Sequence, residues 1–187
     1  PLSDRYGRKG ILLVGVFSYT IASVACALSP TIEFLIAARI IQALGAGAMS
    51  AVSTAIVKDA IIPEKREVIL SVVQVMFVVG PVLAPVIGAL ILQVADWRLS
   101  FWVLAFVGVF CTILSLFYKA TLVRDDRYEG TVFGSIHQLG VVAKHKGFSS
   151  FLGIVALFNL PFMAYIAVGS HIYISFFGMG ELEYSFY

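Results

Sequence analysis

Five long apolar segments constrain the fold more than any other feature of this sequence. They are predicted to be helices over residues 11–28, 34–57, 68–94, 100–118 and 148–177. About 20 apolar residues in a helix cross the roughly 30 Å hydrocarbon core of a bilayer. Because 60% of the 187 residues are hydrophobic and 13% are charged, a soluble core of this length would not bury the apolar surface. We therefore predict an all-α, polytopic membrane helical bundle.

The basic residues divide unevenly among the predicted loops. Residues 1–10 hold three Lys or Arg, residues 58–67 hold three and residues 119–147 hold five, whereas the alternate loops hold only Arg98. Cytoplasmic loops of membrane proteins are enriched in Lys and Arg. The three basic segments are therefore predicted to face the cytoplasm. The net charge of +2, distributed in this way, does not indicate a nucleic-acid partner.

The sequence lacks the residue sets that most enzymes and cofactor sites use. It contains no metal-ligand cluster, no nucleophile–base set and no phosphate-binding glycine loop, so we predict neither an enzyme nor a bound metal or cofactor. The two cysteines, Cys26 and Cys111, lie within apolar segments. Both are predicted to be packing residues rather than a disulfide or metal ligands.

Arg39 and Gln42 are polar residues within the second apolar segment. An arginine at membrane depth is costly unless it meets a partner, water or the interface, which favours a functional role. The alternative is that Arg39 extends to the outer surface, because it lies near that end of the helix. Small residues at four-residue spacing predict close packing with another helix. They form two lines, Ala43, Gly47 and Ala51, and Ala46, Ser50 and Thr54.

The third apolar segment combines prolines with small residues. Its two prolines remove two backbone donors and predict a kink, while residues at four-residue spacing permit close helix contact. The residues concerned are Gly80, Pro81, Ala84, Pro85 and Gly88. Such a helix suits a moving element or a seal, and a static kink filled by packing is the alternative.

The remaining polar features lie toward the carboxyl end of the chain. Residues 119–147 contain apolar positions at helical spacing and predict a cytoplasmic loop with an amphipathic helix. In the fifth apolar segment, Asn159 and Tyr165 lie near mid-membrane and are candidates for contact with a substrate. Lone polar residues are common in membrane helices, so a structural role is the alternative.

Three motifs, in order along the chain, resemble those of major facilitator superfamily transporters. Ser3-Asp4-Arg5-Tyr6-Gly7-Arg8-Lys9 resembles the loop signature between the second and third spans. The Arg39-x-x-Gln42-x-x-Gly45 pattern is similar to the fourth-span motif, and the stretch from Gly80 to Gly88 resembles the fifth-span antiporter motif. Together with Asp96-Trp97-Arg98, they most resemble the Bcr/CflA group of drug:proton antiporters.

The resemblance implies an interior fragment of a twelve-span protein. Residues 1–118 would belong to the N-terminal six-helix half, residues 119–147 to the central cytoplasmic loop, and residues 148–187 to the first, truncated span of the second half. The whole protein would be a monomer in the plasma membrane. It would export drugs or other small amphipathic compounds by alternating access, driven by the proton gradient.

The resemblance also implies roles for individual residues. Asp4 would face a helix end in the second half, and Arg8 would pair with Asp59, so that the three charges stabilise one conformation. Arg39, with Gln42, would take part in proton coupling. No acidic residue lies within the predicted spans, so the proton-carrying carboxyl group is expected elsewhere in the whole protein.

Two other functions remain open from the residues alone. One keeps the fold but makes the protein a symporter or facilitator for a sugar or another metabolite. The other is a membrane scaffold or receptor without transport, which would need neither Arg39 nor the prolines of the third segment.

Overall fold

The computed structural model describes residues 7–118 and 145–180, together with positions 3, 140, 143 and 183. The chain divides into two compact units, Pro1–Glu129 and Gly130–Tyr187. The described residues include five α-helices and one π-helical turn. These are α1 (Arg8–Ala27), α2 (Ile32–Ala60), α3 (Pro63–Val94), α4 (Trp97–Phe117), α5 (Lys146–His171) and the turn Ile172–Phe176.

The helices confirm the predicted fold class. The helices α1 to α4, and the segment Gly147–Tyr165 of α5, are each long and apolar enough to cross a membrane. The predicted amphipathic helix within 119–147 lies almost wholly outside the described residues.

The predicted boundaries are wrong where charged residues continue a helix. The loop predicted over 58–67 is reduced to two residues, because α2 extends to Ala60 and α3 begins at Pro63. Proline fits the first turn of a helix, and Glu64 in that turn and Lys58 in the last turn of α2 suit the two helix dipoles. The α2 helix begins after Thr31, whose side chain accepts a hydrogen bond from the Phe34 N–H at 3.3 Å.

The first unit is built on α1, which packs against both α2 and α4. Its contact with α2 is closest at Gly15 and Gly45, where a Cβ atom added to Gly45 would lie 2.7 Å from the Gly15 carbonyl oxygen. A Cβ atom added to Gly108 of α4 would lie 2.5 Å from the Thr20 hydroxyl oxygen. Small residues therefore allow these helices to approach closely, as expected for packing in lipid.

Basic side chains from neighbouring elements bond to carbonyls at the carboxyl ends of the packed helices. Arg98 donates to the carbonyl of Ser29, just beyond α1, at 3.1 Å. Lys9 donates to the carbonyl of Leu116, near the end of α4, at 2.9 Å. Arg66 donates to the carbonyl of Lys58, near the end of α2, at 2.5 Å. A cation is favourable at this end of a helix because the unpaired carbonyls carry partial negative charge.

The α3 helix runs unbroken through both of its prolines. A Cβ atom added to Gly80 or Gly88 meets nothing within 4 Å, and Ala89 is the buried residue of this fully described helix. The small-residue face of α3 therefore has no close neighbour among the described residues, and its sealing or moving role stays a prediction.

The second unit contains α5, in which Asn159 and Tyr165 are exposed. The Asn159 side chain donates to the Val155 carbonyl of its own helix at 2.9 Å. Beyond α5, the π-helical turn ends with the Phe177 N–H bonded to the Ile172 carbonyl at 3.2 Å. The predicted substrate contacts of Asn159 and Tyr165 stay predictions.

Candidate functional site: a cavity beside Arg39

An open cavity of about 450 Å³ lies between α1, α2 and α4. Its polar lining comes from Arg39 and Gln42 on α2 and from Tyr19 on α1. Its apolar lining consists of Ala43, Ala46 and Leu104. The cavity thus has one charged wall and apolar side chains beside it, and the two alanines leave room for a bound group.

Arg39 and Gln42 bond to each other across the turn of helix that separates them. The guanidinium Nη1 of Arg39 donates to Oε1 of Gln42 at 2.9 Å. Residues three apart lie on the same side of a helix, so the spacing in the sequence favours this bond. Gln42 is 3% exposed, and the bond therefore ties the charge of Arg39 to a buried amide.

Gln42 carries the network from α2 to α1. Its Nε2 donates to the Ser23 hydroxyl at 2.7 Å, and that hydroxyl donates to the Tyr19 carbonyl at 2.8 Å. Ser23 is 0% exposed. Arg39, Gln42 and Ser23 therefore form one chain of hydrogen bonds that ends on the backbone of α1.

An aromatic ring on α4 provides the second contact of Arg39. The guanidinium carbon lies 5.2 Å from the ring centroid of Phe101, within the distance at which a ring attracts a cation. Arg39 lies seven residues after the start of α2 at Ile32, about 10 Å along the helix axis. There the guanidinium contacts both Gln42 and Phe101. A side chain that extends to the outer surface would need neither contact.

The arrangement suits binding of an anion, or an electrostatic effect on a nearby carboxyl group, rather than covalent catalysis. Arg39 has five N–H donors, and the residue is exposed to the open cavity even though one donor is fixed by Gln42. A guanidinium held in this way attracts anions and favours the ionised form of a nearby carboxyl group. Among the described residues, no group of three or more His, Cys, Asp or Glu side chains lies close enough to hold a metal ion.

A second polar contact lies at the opposite end of α1 and α2. Arg8 Nε donates to Asp59 at 2.8 Å, and the two side chains are 11% and 26% exposed. Arg8 also donates to the Ser3 hydroxyl at 2.5 Å. The pair that the sequence resemblance implied is thus formed, while Asp4 lies outside the described residues. The gating role of these charges stays a prediction.

The structure brings only some of the predicted residues together. Arg39 and Gln42 share the cavity, whereas Arg8 and Asp59 form a separate pair. The predicted residues of α3 belong neither to the cavity nor to the Arg8–Asp59 pair. Asn159 and Tyr165 belong to the other unit.

Sequence reasoning missed four residues of the Arg39 site, namely Tyr19, Ser23, Phe101 and Leu104. A serine among apolar residues is a weak signal, because its hydroxyl usually bonds to its own helix. Tyr19 and Ser23 are one turn apart on α1. That spacing places them on one face but does not show which helix the face meets.

This chain is similar to known membrane transporters over nearly its whole length. The family model described as Major Facilitator Superfamily matches residues 1–187. The chain is 31% identical over 188 residues to "Uncharacterized MFS-type transporter YdgK" of Bacillus subtilis (strain 168), covering 99% of this chain and 47% of that protein.

Matches to a multidrug resistance protein cover a shorter part of the chain. The chain is 39% identical over 116 residues to "Multidrug resistance protein MdtL" of Escherichia coli O139:H28, which is 62% of this chain and 30% of that protein. The protein of the same name from Shigella boydii serotype 18 matches to the same extent. The chain therefore spans about half of one curated relative and a smaller share of the others.

Proposed function

We infer the function from one premise: this chain belongs to the Major Facilitator Superfamily, whose members are transporters and not enzymes. We propose that the whole protein is a proton-coupled antiporter that exports drugs or other small amphipathic compounds. The chain would form part of its translocation pathway, and the Arg39 cavity would take part in coupling. Within the superfamily, the motifs described above favour the Bcr/CflA group.

The observation that carries the proposal is the fixed cation beside the open cavity. Arg39 is held by Gln42 and lies over Phe101, so its guanidinium group is held in one position relative to α2 and α4. Such a charge favours release of a proton from a carboxyl group that comes close to it. A carboxyl group that is close to Arg39 in only one conformation would therefore bind and release its proton as the conformation changes.

The carboxyl group itself is proposed to lie in another part of the whole protein. The acidic residues of α1 to α4 and their connections lie near helix ends or between helices, and none reaches the middle of a span. They are Glu33, Asp59, Glu64, Glu67 and Asp96. Since this chain covers 47% of YdgK, the partner is expected from further spans of the whole protein.

A drug-like substrate is supported by two observations. The cavity lining combines apolar side chains with a guanidinium, an amide and a tyrosine, a mixture that suits an amphipathic molecule. Relatives with 39% identity carry the name multidrug resistance protein. Transport is proposed to follow alternating access, with two halves rocking around a central site.

The proposal has further parts that the same account requires. The energy would come from a proton gradient across the plasma membrane rather than from a bound cofactor, and the whole protein would act as a monomer. The basic segments 1–10, 58–67 and 119–147 would face the cytoplasm, in line with their Lys and Arg content.

The test is the direction of coupled flux. The whole protein is reconstituted into liposomes with an acidic interior, and uptake of ethidium and chloramphenicol is followed with and without a protonophore. An antiporter accumulates at least one of these compounds inside, and the protonophore abolishes the accumulation. Accumulation only when the outside is acidic would indicate symport, and uptake indifferent to the gradient would indicate a facilitator. Either result, or absence of flux for both compounds, would contradict the proposal.

A further inference from the structure

The buried hydroxyl of Ser23 connects α1 to the site on α2. It accepts a hydrogen bond from Gln42 Nε2 at 2.7 Å and donates one to the Tyr19 carbonyl at 2.8 Å. We propose that Ser23 is a positioning residue for Arg39, which acts through the amide of Gln42. This inference rests on the proposed coupling role of Arg39 and assigns that role a supporting residue on a different helix.

The donors and acceptors of this network permit only one orientation of the Gln42 amide group. A serine hydroxyl has a single hydrogen, and the Tyr19 carbonyl takes it because a carbonyl cannot donate. Toward Gln42 the Ser23 oxygen can therefore only accept. Gln42 must then turn its NH₂ group to Ser23 and its oxygen to Arg39. The opposite orientation would place the NH₂ group against the guanidinium, where two donors would face each other.

The close approach of the two helices places the hydroxyl within reach. Gly45 lies three residues after Gln42, and a Cβ atom added to it would lie 2.8 Å from the Tyr19 backbone nitrogen. Tyr19 is also the residue whose carbonyl receives the Ser23 hydrogen. The glycine contact and the hydrogen bond are thus adjacent along the same helix interface, and the rigid backbone fixes the position of the hydroxyl.

The consequence for Arg39 is a restricted guanidinium. Its Nη1 is held by Gln42 Oε1, and its central carbon lies 5.2 Å from the Phe101 ring centroid. Loss of the Ser23 hydroxyl would leave the buried NH₂ group of Gln42 without its acceptor, which favours rotation of the amide. The oxygen would then no longer be fixed toward Arg39, and the guanidinium would move more freely in the cavity.

The first test measures Arg39 directly and does not depend on transport. The purified whole protein is treated with phenylglyoxal, which modifies accessible arginines, and the rate at Arg39 is followed by mass spectrometry. The Ser23→Ala variant is expected to react about three- to tenfold faster at Arg39, the factor that corresponds to one hydrogen bond. Thr112→Ala is the matched control, because the Thr112 hydroxyl bonds only to its own helix, at Gly108. An unchanged Arg39 rate in Ser23→Ala overturns the inference.

The second test compares pH profiles of proton-driven transport in liposomes. Ser23→Ala and Gln42→Leu are expected to shift the profile in the same direction, and the double variant is expected to match the single variants because both changes interrupt one chain. Additive effects would overturn the inference.

A conservative variant separates the hydroxyl from the packing. Ser23→Thr keeps a hydroxyl and is expected to retain the wild-type pH profile and Arg39 reactivity, even if Ser23→Ala folds poorly. A Ser23→Thr protein with wild-type thermal stability but altered Arg39 reactivity would overturn the inference. The proposed function fails separately, if Arg39→Ala leaves proton coupling unchanged.

Discussion

Gly15 and Gly45 bring the backbones of α1 and α2 so close together that Gly45 has no room for a side chain and Gly15 has little. A Cβ atom on Gly45 would lie 2.7 Å from the Gly15 carbonyl oxygen, and one on Gly15 would lie 3.2 Å from the Gly45 carbonyl oxygen. The contact lies one turn from the Gln42–Ser23 bond, at the same interface between α1 and α2.

The Gly45→Ala substitution is expected to destabilise the protein. Its methyl group would meet rigid backbone of α1, and overpacking of this kind costs about 1–3 kcal/mol. Gly47→Ala is the matched control, because a Cβ atom there meets nothing within 4 Å. It should leave the stability unchanged or raise it by up to about 1 kcal/mol, since alanine is favoured over glycine inside a helix. Thermal unfolding of the purified whole protein measures both variants, and equal melting temperatures would contradict the account of this contact.

The same two glycines show the limits of prediction from sequence. Small residues along α2 predicted close packing along two lines. The line through Ala43, Gly47 and Ala51 is exposed, and the close contact with α1 is at Gly45, which belongs to neither line. Helical spacing defines lines of residues on a helix surface but not the neighbour that each line meets. That neighbour is set by tertiary packing, which also explains why Ser23 and Phe101 could not be identified.

Other features could be predicted because their causes are local. The length of the apolar segments determined the helices, and the three-residue spacing determined the contact of Arg39 with Gln42. The pair of Arg8 and Asp59, 51 positions apart, followed only from the family resemblance. The helix boundaries were missed because charged residues are good helix formers outside the hydrocarbon core.

The Arg8–Asp59 pair is expected to matter more for transport than for stability. Because both side chains are partly accessible, Asp59→Asn should cost less than about 1 kcal/mol of unfolding free energy. If the pair stabilises one conformation, Asp59→Arg should lower the efflux rate, and the double variant Arg8→Asp, Asp59→Arg should restore part of it. Glu67→Gln, at an exposed position nearby, is the control. A double variant no better than Asp59→Arg would contradict the gating role.

Arg98 is expected to hold the carboxyl end of α1 in place. It donates to the Ser29 carbonyl at 3.1 Å and lies 4.3 Å from the Trp97 ring centroid. Arg98→Gln removes this charged hydrogen bond, so transient opening should expose the buried Cys26. Its alkylation by N-ethylmaleimide should become about tenfold faster.

Three controls accompany this prediction. Arg98→Lys should give an intermediate rate at Cys26, because a lysine can bond to the carbonyl but lacks the planar guanidinium that stacks on tryptophan. Cys111 provides an internal reference. Arg66→Gln, near the start of α3, should leave the Cys26 rate unchanged. An equal Cys26 rate in Arg98→Gln and the unsubstituted protein would show that Arg98 does not hold this end.

The most direct measurement for the coupling role of Arg39 compares two kinds of flux in liposomes that contain the whole protein. One is accumulation of substrate driven by a proton gradient, and the other is exchange of labelled for unlabelled substrate at equal pH. Arg39→Ala is expected to reduce driven accumulation by about tenfold or more, since a nearby opposite charge shifts a proton equilibrium by at least that factor. Exchange at equal pH should remain.

Arg39→Lys should retain part of the driven accumulation, because it keeps the charge but loses the planar fork that contacts Gln42 and Phe101. Lys65→Gln removes an exposed positive charge and should behave like the unsubstituted protein. Selective loss of driven accumulation in Arg39→Ala, with exchange intact, is the predicted result. Unchanged driven accumulation in both Arg39→Ala and Arg39→Lys would contradict the coupling role.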